Sequence, residues 1–366
     1  MADKHNCLLV CAQSPSIAGA AGNRIARDRI TKLASEFAVD LVLILNRKDP
    51  VSPDLARELG VRSLTVFRIG RLSKLATVLR NLFSAPPRYC TRLSRVALRF
   101  LIDKLATNRY ALVRYEFSQV APYRALLKHR ARSVLAAHDI QLQVVLRAPF
   151  IERLLFSAFT YRYEDRLFRS FDEITVLSTK DKCLIDGLYP HCNVTIEQPT
   201  LSPFVYKVRR APASIEAGSL LFWGAMNRPE NEEAVLFLVR HCLRDLRARF
   251  PDLVLYVVGN APSKLIQRLN GDGVVVTGFV EDPTPYFERA ALGVVPLLRG
   301  AGVKLKTLEM LEAGLPVVST HVGAEGVDES RSGFKVVEPS MFTGAVIAAL
   351  EHQIEQSASV PSNAGA

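Results

Sequence analysis

Short apolar runs alternate with longer amphipathic segments along most of the chain. In the first half the apolar runs have the length of buried strands, and we predict strands at residues 6–12, 41–45, 111–115, 133–137 and 173–177. The second half repeats the pattern, with predicted strands at residues 220–223, 253–258, 274–277, 293–297 and 317–319. Such alternation is typical of parallel sheets with right-handed crossover connections. The pattern therefore predicts an α/β fold with two doubly wound domains, and ligands bound beyond the strand carboxyl ends.

A proline-rich stretch separates the two series of elements. Residues 199–212 contain three prolines and no strong hydrophobic period, so we predict a linker there. We place the first domain at residues 1–205 and the second at residues 206–356. The polar residues 357–366 are predicted to be a disordered tail.

One loop in the second half has residues suited to a specific ligand. It follows the predicted strand at residues 293–297 and opens onto a predicted helix. The loop and the helix supply five candidate residues: Gly300, Gly302, Lys304, Lys306 and Glu309. Backbone amides at a helix start and two ammonium groups suit a diphosphate, and a carboxylate suits the hydroxyls of a ribose. A nucleotide sugar combines these groups. The alternative is a surface ion pair on a helix, with glycines that only turn the chain.

The same segment resembles the donor-binding segment of bacterial GT-B glycosyltransferases of the large retaining "family four" group. The resemblance rests on Gly-Ala-Gly-Val-Lys-Leu-Lys-Thr-Leu-Glu, then Glu-Ala-Gly-Leu-Pro-Val-Val-Ser-Thr and Gly-Ala-Glu-Gly. Three further blocks, at residues 222–234, 257–260 and 276–282, resemble the same domain in the same order. The first half matches more loosely, through residues 19–24, His138-Asp139 and Ser178.

This resemblance implies a fold and a reaction. The fold is GT-B, in which two Rossmann-like domains face one another across a cleft, with the acceptor on the first domain and the donor on the second. The reaction is transfer of a hexosyl group from a UDP-, GDP- or TDP-sugar to a glycan or lipid-linked acceptor, with retention of configuration. Surface polysaccharide or glycolipid biosynthesis is the expected setting.

The resemblance also implies roles for individual residues of the second domain. Lys304, Lys306 and the amides of residues 300–303, Val303 included, would stabilise the departing diphosphate. Glu309 would accept hydrogen bonds from the ribose, and the backbone of Phe279 and Val280 would contact the base.

In the first domain the resemblance implies that His138 lines the sugar pocket. A loop containing Gly19, Gly22 and Asn23 would close over the reacting centre. The alternatives are a structural histidine and an ordinary turn and cap before a helix.

Two positions depart from the family pattern. Ala301 stands where relatives often carry a glutamate that reads the donor sugar, so the donor class is better indicated than the sugar. The donor-binding candidates Asn227 and Arg228 follow the first strand of the second domain, where many relatives hold the diphosphate with an arginine and a lysine. Here Arg228 would join Lys304 and Lys306 in supplying the positive charge. The chain has no Asp-x-Asp, no His-Glu-x-x-His and no Cys/His cluster. We therefore expect no metal or other cofactor.

The net positive charge is concentrated in the first half of the chain. The first 206 residues carry 31 Lys+Arg against 18 Asp+Glu, and the remainder carries 16 against 18. Residues 68–83 and 88–105 follow a helical period, and in one continuous helix four arginines would lie within about 40° of one direction. These are Arg88, Arg92, Arg95 and Arg99. We predict that they face an anionic membrane; an ordinary solvated helix face is the alternative.

The expected location follows from the lack of targeting signals. No run of about 18 apolar residues could span a bilayer, and the first residues lack a signal-peptide layout. We expect a cytoplasmic protein that binds peripherally to the inner face of the cell membrane. Two rival functions remain open, namely a nucleotide-sugar epimerase of the same architecture and a non-catalytic basic binding protein. Nucleic acid is a less suitable partner, because the basic segment lacks interleaved exposed aromatics.

Overall fold

The chain forms two compact units, Met1–Thr200 and Leu201–Ala366. The computed structural model describes residues 4–16 and 21–359. The boundary lies five residues before the predicted one at 205/206. Ser202 and Val205 belong to the second unit, because Ser202 bonds to Glu309 and Val205 lies in the second core.

The first unit is built on a seven-stranded parallel sheet of order β3-β2-β1-β4-β5-β6-β7. Its strands are β1 (Asn6–Cys11), β2 (Ala38–Asn46), β3 (Ser63–Ile69), β4 (Leu112–Glu116), β5 (Arg132–Ala136), β6 (Glu173–Val176) and β7 (Val194–Ile196). Its helices are α1 (Ala21–Glu36), α2 (Leu55–Leu59), α3 (Arg71–Arg80), α4 (Pro87–Cys90), α5 (Arg95–Thr107), α6 (Pro122–Leu126), α7 (Gln141–Leu146), α8 (Phe150–Phe168) and α9 (Thr179–Leu188). The central strands β1 and β2 are almost wholly buried, which explains why their residues are mostly apolar.

The second unit has a six-stranded parallel sheet of order β10-β9-β8-β11-β12-β13. Its strands are β8 (Glu216–Trp223), β9 (Val254–Val258), β10 (Val274–Gly278), β11 (Ala290–Val295), β12 (Val317–Thr320) and β13 (Phe334–Val337). Its helices are α10 (Pro229–Phe237), α11 (Leu243–Arg249), α12 (Lys264–Gln267), α13 (Thr284–Arg289), α14 (Leu305–Glu312) and α15 (Phe342–Ser359). Each unit has its own apolar core around its sheet. The predicted pair of doubly wound, Rossmann-like α/β domains is therefore confirmed.

Three edge or outer strands and the chain end differ from the predictions. The sequence patterns missed β3, β7 and β13, which are mostly half-buried or exposed and lack long apolar runs. Helix α15 runs to Ser359, so residues 357–359 of the predicted tail are helical, and residues 360–366 lie outside the described residues.

The prediction of one continuous helix at residues 88–105 is wrong. The chain turns between α4 and α5, where the Ser94 hydroxyl accepts a hydrogen bond from the Ala97 amide and caps α5. The buried Tyr123 holds this turn, because its hydroxyl donates to the Arg92 carbonyl and accepts from the Ser94 amide.

The predicted common arginine face does not form. The Arg92 guanidinium is 11 % exposed and donates to the Ala12 carbonyl and the Asn46 side chain. Arg88 lies on the separate helix α4, and only Arg95 and Arg99 share the exposed side of α5. Arg92 is therefore wrong as a membrane-facing residue.

Candidate functional site

In each sheet the chain order reverses between two adjacent strands. The reversal lies between β1 and β4 in the first unit and between β8 and β11 in the second. Ligands of open α/β sheets bind beyond the carboxyl ends of the strands at such points. The predicted diphosphate residues follow β8 and β11, and His138 follows β5, which is next to β4. The candidate residues of each unit therefore lie at the expected edge of its sheet.

The loop after β11 has the backbone that its glycines predict. Gly302 is buried and has φ = 77°, a conformation that residues with a side chain seldom adopt. Helix α14 begins at Leu305, so Lys304 stands at the N-cap position and not in the helix as predicted. Val303 is half-buried beside it. Glycine at position 302 thus allows the turn that leads into α14.

Lys304 is buried beside a carboxylate. Its side chain is 9 % exposed, and its Nζ donates to the Gly302 carbonyl at 2.6 Å and lies 3.2 Å from Glu325 Oε2. Glu325 is buried too. Glu325 is the glutamate of the Gly-Ala-Glu-Gly block, and the sequence alone did not indicate a role for it. This ion pair leaves Lys304 partly neutralised within its own unit.

Lys306 occupies a different environment. Its ammonium donates to Asn231 Oδ1 and lies 4.8 Å from the centre of the Phe222 ring. Burial lowers its pKa to about 7, and the nearby Arg228 lowers it further than Glu230 raises it. A Cβ at Gly224 would lie 2.9 Å from Lys306 Nζ, so glycine there keeps the path to the ammonium clear. An anion bound here would restore the charge of this lysine.

Asn231, which the sequence analysis did not assign, connects the two loops. Its Nδ2 donates to the Ala225 carbonyl at 2.7 Å, while its Oδ1 accepts from Lys306. Its position in the Pro-Glu-Asn-Glu-Glu run gave no indication of this contact. Asn231 ties the segment after β8 to helix α14.

Glu309 is enclosed by protein donors. It is 1 % exposed, and its Oε1 accepts from the Ser202 amide at 3.1 Å and the Ser202 hydroxyl at 2.5 Å. Its Oε2 accepts from the Trp223 indole N–H at 2.7 Å. The alternative interpretation, a surface ion pair with Lys306, is therefore wrong, because Glu309 is buried. Its contact with a ribose stays a prediction, and such a contact requires movement of Trp223 or Ser202.

The remaining predicted donor residues are more exposed. Asn227 and Arg228 lie in the segment after β8, and Arg228 Nη1 is 3.5 Å from Glu230. Phe279 follows β10, two strands away from β8, and is 66 % exposed, whereas Val280 packs partly against the core. The structure thus brings Lys304, Lys306 and the two loops together and leaves Phe279 at the outer part of the edge.

In the first unit His138 is built into a polar cluster. It is 8 % exposed, its Nε2 lies 2.7 Å from Glu116 Oε1, and its ring stacks on Phe117 at 3.9 Å. Burial would raise the pKa of Glu116, but Arg114, His138 and Arg29 hold that pKa well below its usual range. The charged Glu116 fixes the orientation of the His138 ring.

Phe117 connects this histidine to the first helix. It has φ = 76°, unusual for a residue with a side chain, and a Cβ at Gly22 would lie 3.3 Å from its ring. Gly22 and Asn23 lie in the first turn of α1, not in a loop before it as predicted. Gly19 lies outside the described residues. Glu116 is the last residue of β4 and Phe117 follows it. No sequence pattern indicated a role for either residue.

The part of the chain that the structure describes lacks two other kinds of feature. Within residues 4–16 and 21–359, no group of three or more His, Cys, Asp or Glu side chains is placed to hold a metal ion. No helix within that part of the chain is long and apolar enough to cross a membrane.

Comparison with known proteins supports the resemblance seen in the sequence. Residues 217–352 match the family model described as Glycosyl transferases group 1. An uncharacterised 44.6 kDa protein in the cps region of Klebsiella pneumoniae is 26 % identical over 180 residues. That match covers 46 % of this chain and 44 % of the relative, so it spans less than half of the relative's length.

Solved structures show the same fold over nearly the whole chain. Sucrose-phosphate synthase from Thermosynechococcus elongatus is similar with a TM-score of 0.67 and 16 % identity, covering 97 % of this chain and 91 % of that one. HepE from Anabaena in complex with UDP and glucose has a TM-score of 0.61 and 16 % identity, covering 97 % and 92 %. Residues 217–352 are therefore similar to the glycosyl transferases group 1 family, and the two α/β units have the GT-B fold.

Proposed function

We propose that the protein is a glycosyltransferase that moves a hexosyl group from a nucleotide sugar to a glycan or lipid-linked acceptor. The observation that carries the proposal is the group of cations beside the glycine loop at the strand reversal of the second unit. Lys306 is held there by Asn231, with Lys304 and Arg228 nearby. A departing nucleoside diphosphate gains negative charge, and preorganised cations and amides stabilise that charge.

The nucleoside diphosphate is best taken as UDP. HepE, which has the same fold, was solved with UDP and glucose. Retention of configuration is proposed from the family resemblance, and His138 is proposed to face the transferred sugar. Lys304 and Lys306 are the proposed means of stabilising the leaving group, without a metal ion.

Surface polysaccharide biosynthesis is the proposed setting. The relative from Klebsiella pneumoniae is described only by its place in the cps region, which supports a role in assembling an extracellular polysaccharide. The proposed location of the protein is the cytoplasmic face of the cell membrane.

Thermal unfolding of the purified protein with a panel of UDP-, GDP- and TDP-sugars tests the donor class. We expect the UDP-sugars to raise the melting temperature most, since a ligand that binds only the folded state stabilises it by mass action. Incubation of the protein with the most stabilising UDP-sugar, without an acceptor, then distinguishes a glycosyltransferase from a nucleotide-sugar epimerase. An epimerase would convert the donor to its epimer, whereas a transferase would release at most UDP and free sugar. A panel without any stabilising nucleotide sugar would contradict the proposal.

The affinity for UDP should depend on pH through Lys306. Its pKa of about 7 in the free protein means that, above pH 7, binding a diphosphate must bring a proton onto this lysine. The dissociation constant should therefore rise by up to about tenfold per pH unit above pH 7 and be independent of this group below it. Isothermal titration calorimetry in buffers of different ionisation enthalpy measures the proton uptake directly. The Lys306→Met variant should show no such uptake, and equal uptake by both proteins would contradict the assignment.

A further inference from the structure

Helix α3 carries an apolar face that does not pack against its own unit. None of the ten residues of α3 is buried. Leu72, Leu75 and Leu79 follow one another at helical spacing and are 57 to 84 % exposed. Phe83, just beyond the helix, is 94 % exposed, and Leu82 is exposed as well. Neighbouring exposed apolar side chains of this kind usually mark an interaction site.

A second exposed apolar segment lies at the start of α8. It includes Leu146 of α7 and four residues in the first turns of α8: Phe150, Ile151, Leu154 and Leu155. Helix α4 connects the two segments, since it follows α3 and its Arg88 lies 3.7 Å from Glu152 of α8. We call these two segments, Leu72–Phe83 and Leu146–Leu155, the apolar rim.

The apolar rim borders the same edge of the sheet as His138. Helix α3 follows the carboxyl end of β3, and α7 and α8 follow the carboxyl end of β5 through His138. Lys74 of α3 bonds to the side chain of Asn46 at the carboxyl end of β2, and Arg92 bonds to the same side chain. The rim therefore lies at the same edge of the sheet as the candidate site of the first unit.

The charges around the rim select its partner. No acidic residue occurs between Glu58 and Asp103, and basic residues flank the apolar positions: Arg71, Arg80, Arg95, Arg99 and Arg153. A second copy of the chain would bring the same cations face to face across a two-fold interface. A helix with exposed leucines and flanking arginines instead suits a lipid headgroup boundary, where anionic lipids attract the cations and acyl chains accept the apolar side chains.

We propose that the apolar rim inserts into the surface of an anionic membrane, with the flanking arginines at headgroup level. Membrane contact then depends on the leucines of α3 and the start of α8, and not on one aligned row of arginines. Docking in this way brings the edge that carries His138 to the lipid surface, where a lipid-linked acceptor is within reach. Lipid binding is measured without donor or turnover, so its result is independent of the proposed glycosyl transfer.

Cosedimentation of the full chain with vesicles tests the proposal. The vesicles are phosphatidylcholine alone or phosphatidylcholine mixed with phosphatidylglycerol. One variant combines Leu72→Ser, Leu75→Ser and Leu79→Ser, and a second combines Ile151→Ser, Leu154→Ser and Leu155→Ser. A control variant replaces three exposed apolar residues of the second unit: Leu265→Ser, Met341→Ser and Ile354→Ser. Thermal unfolding checks that every variant folds, which is expected because all of these side chains are exposed.

We expect the wild type and the control to bind the anionic vesicles, and each rim variant to bind them at least about tenfold more weakly. Rim variants that bind within twofold of the wild type would overturn the proposal, as would a wild type that stays in the supernatant at low salt. Equal binding to vesicles of phosphatidylcholine alone would overturn the assignment of an anionic surface. A wild-type dimer that the α3 variant loses, without vesicle binding, would assign the rim to a second copy instead.

Discussion

Replacing Lys306 by methionine should lower turnover by about 10²–10³-fold, the range found when one preorganised group that stabilises a developing negative charge is removed. The methionine side chain keeps the apolar stem over the Phe222 ring and removes only the ammonium group. The fold should tolerate the change, because a half-buried cation is replaced by an apolar group of similar length. The loss should be larger in kcat than in KM, because the charge on the diphosphate grows as the bond to the sugar breaks.

Release of UDP from the UDP-sugar that best stabilises the protein measures this effect. Lys335→Met is the matched control, since Lys335 is exposed on the edge strand β13 and should leave turnover unchanged. Lys304→Met is a less clean test, because it leaves Glu325 buried without its cation and should destabilise the fold by about 3–5 kcal/mol. A Lys306→Met enzyme with more than a third of the wild-type turnover would assign leaving-group stabilisation to other groups.

Glu309→Ala should affect stability as well as nucleotide binding. The carboxylate accepts hydrogen bonds from the Trp223 indole and from the amide and hydroxyl of Ser202. Each buried donor left without an acceptor costs about 1–3 kcal/mol of unfolding free energy. The variant should therefore lose folding stability in addition to the ribose contact that the sequence predicted.

Denaturant unfolding followed by tryptophan fluorescence measures the stability, since Trp223 is the single tryptophan of the chain and contacts Glu309. Glu312→Ala is the matched control one turn later, where an exposed pair with Arg331 should contribute only about 0–1 kcal/mol. Calorimetric titration with UDP completes the test. Loss of stability with unchanged UDP affinity would reject the ribose contact, and loss of affinity with unchanged stability would reject the structural role.

The buried strands and the glycine loop could be predicted from local patterns. Strands β1, β2, β8 and β11 contain apolar runs, at residues 7–11, 41–45, 220–223 and 290–295, because both faces of a parallel sheet are covered, and that requirement is visible in the residues themselves. The outer strand β3 is half-buried over Ser63–Phe67 and ends in Arg68-Ile69, which the predicted helix at residues 68–83 included. Local spacing could not distinguish the end of a strand from the start of a helix at these two residues.

The prediction of one arginine face was wrong because the helix break that removes it involves a residue distant in the sequence. Periodicity treats residues 88–105 as one helix, and the break at Ser94 depends on Tyr123, which is about thirty residues away in the sequence. The leucines of α3 show the opposite problem. Their spacing predicts an apolar face, but whether that face packs inward or stays exposed depends on what the rest of the chain brings to it.

Local sequence patterns were enough to predict the two α/β domains and the resemblance of the second unit to glycosyltransferases. They also placed the glycine loop with Lys304, Lys306 and Glu309 after a buried strand, because these features follow from the order of residues along short segments. Which groups those side chains contact could be read only from the folded protein. Glu309 faces Ser202 and Trp223, Lys304 faces Glu325, and His138 faces Glu116. The physical reason is that hydrogen bonds and ion pairs act over about 3–4 Å in space, and folding brings together partners that are separated by many residues in the sequence.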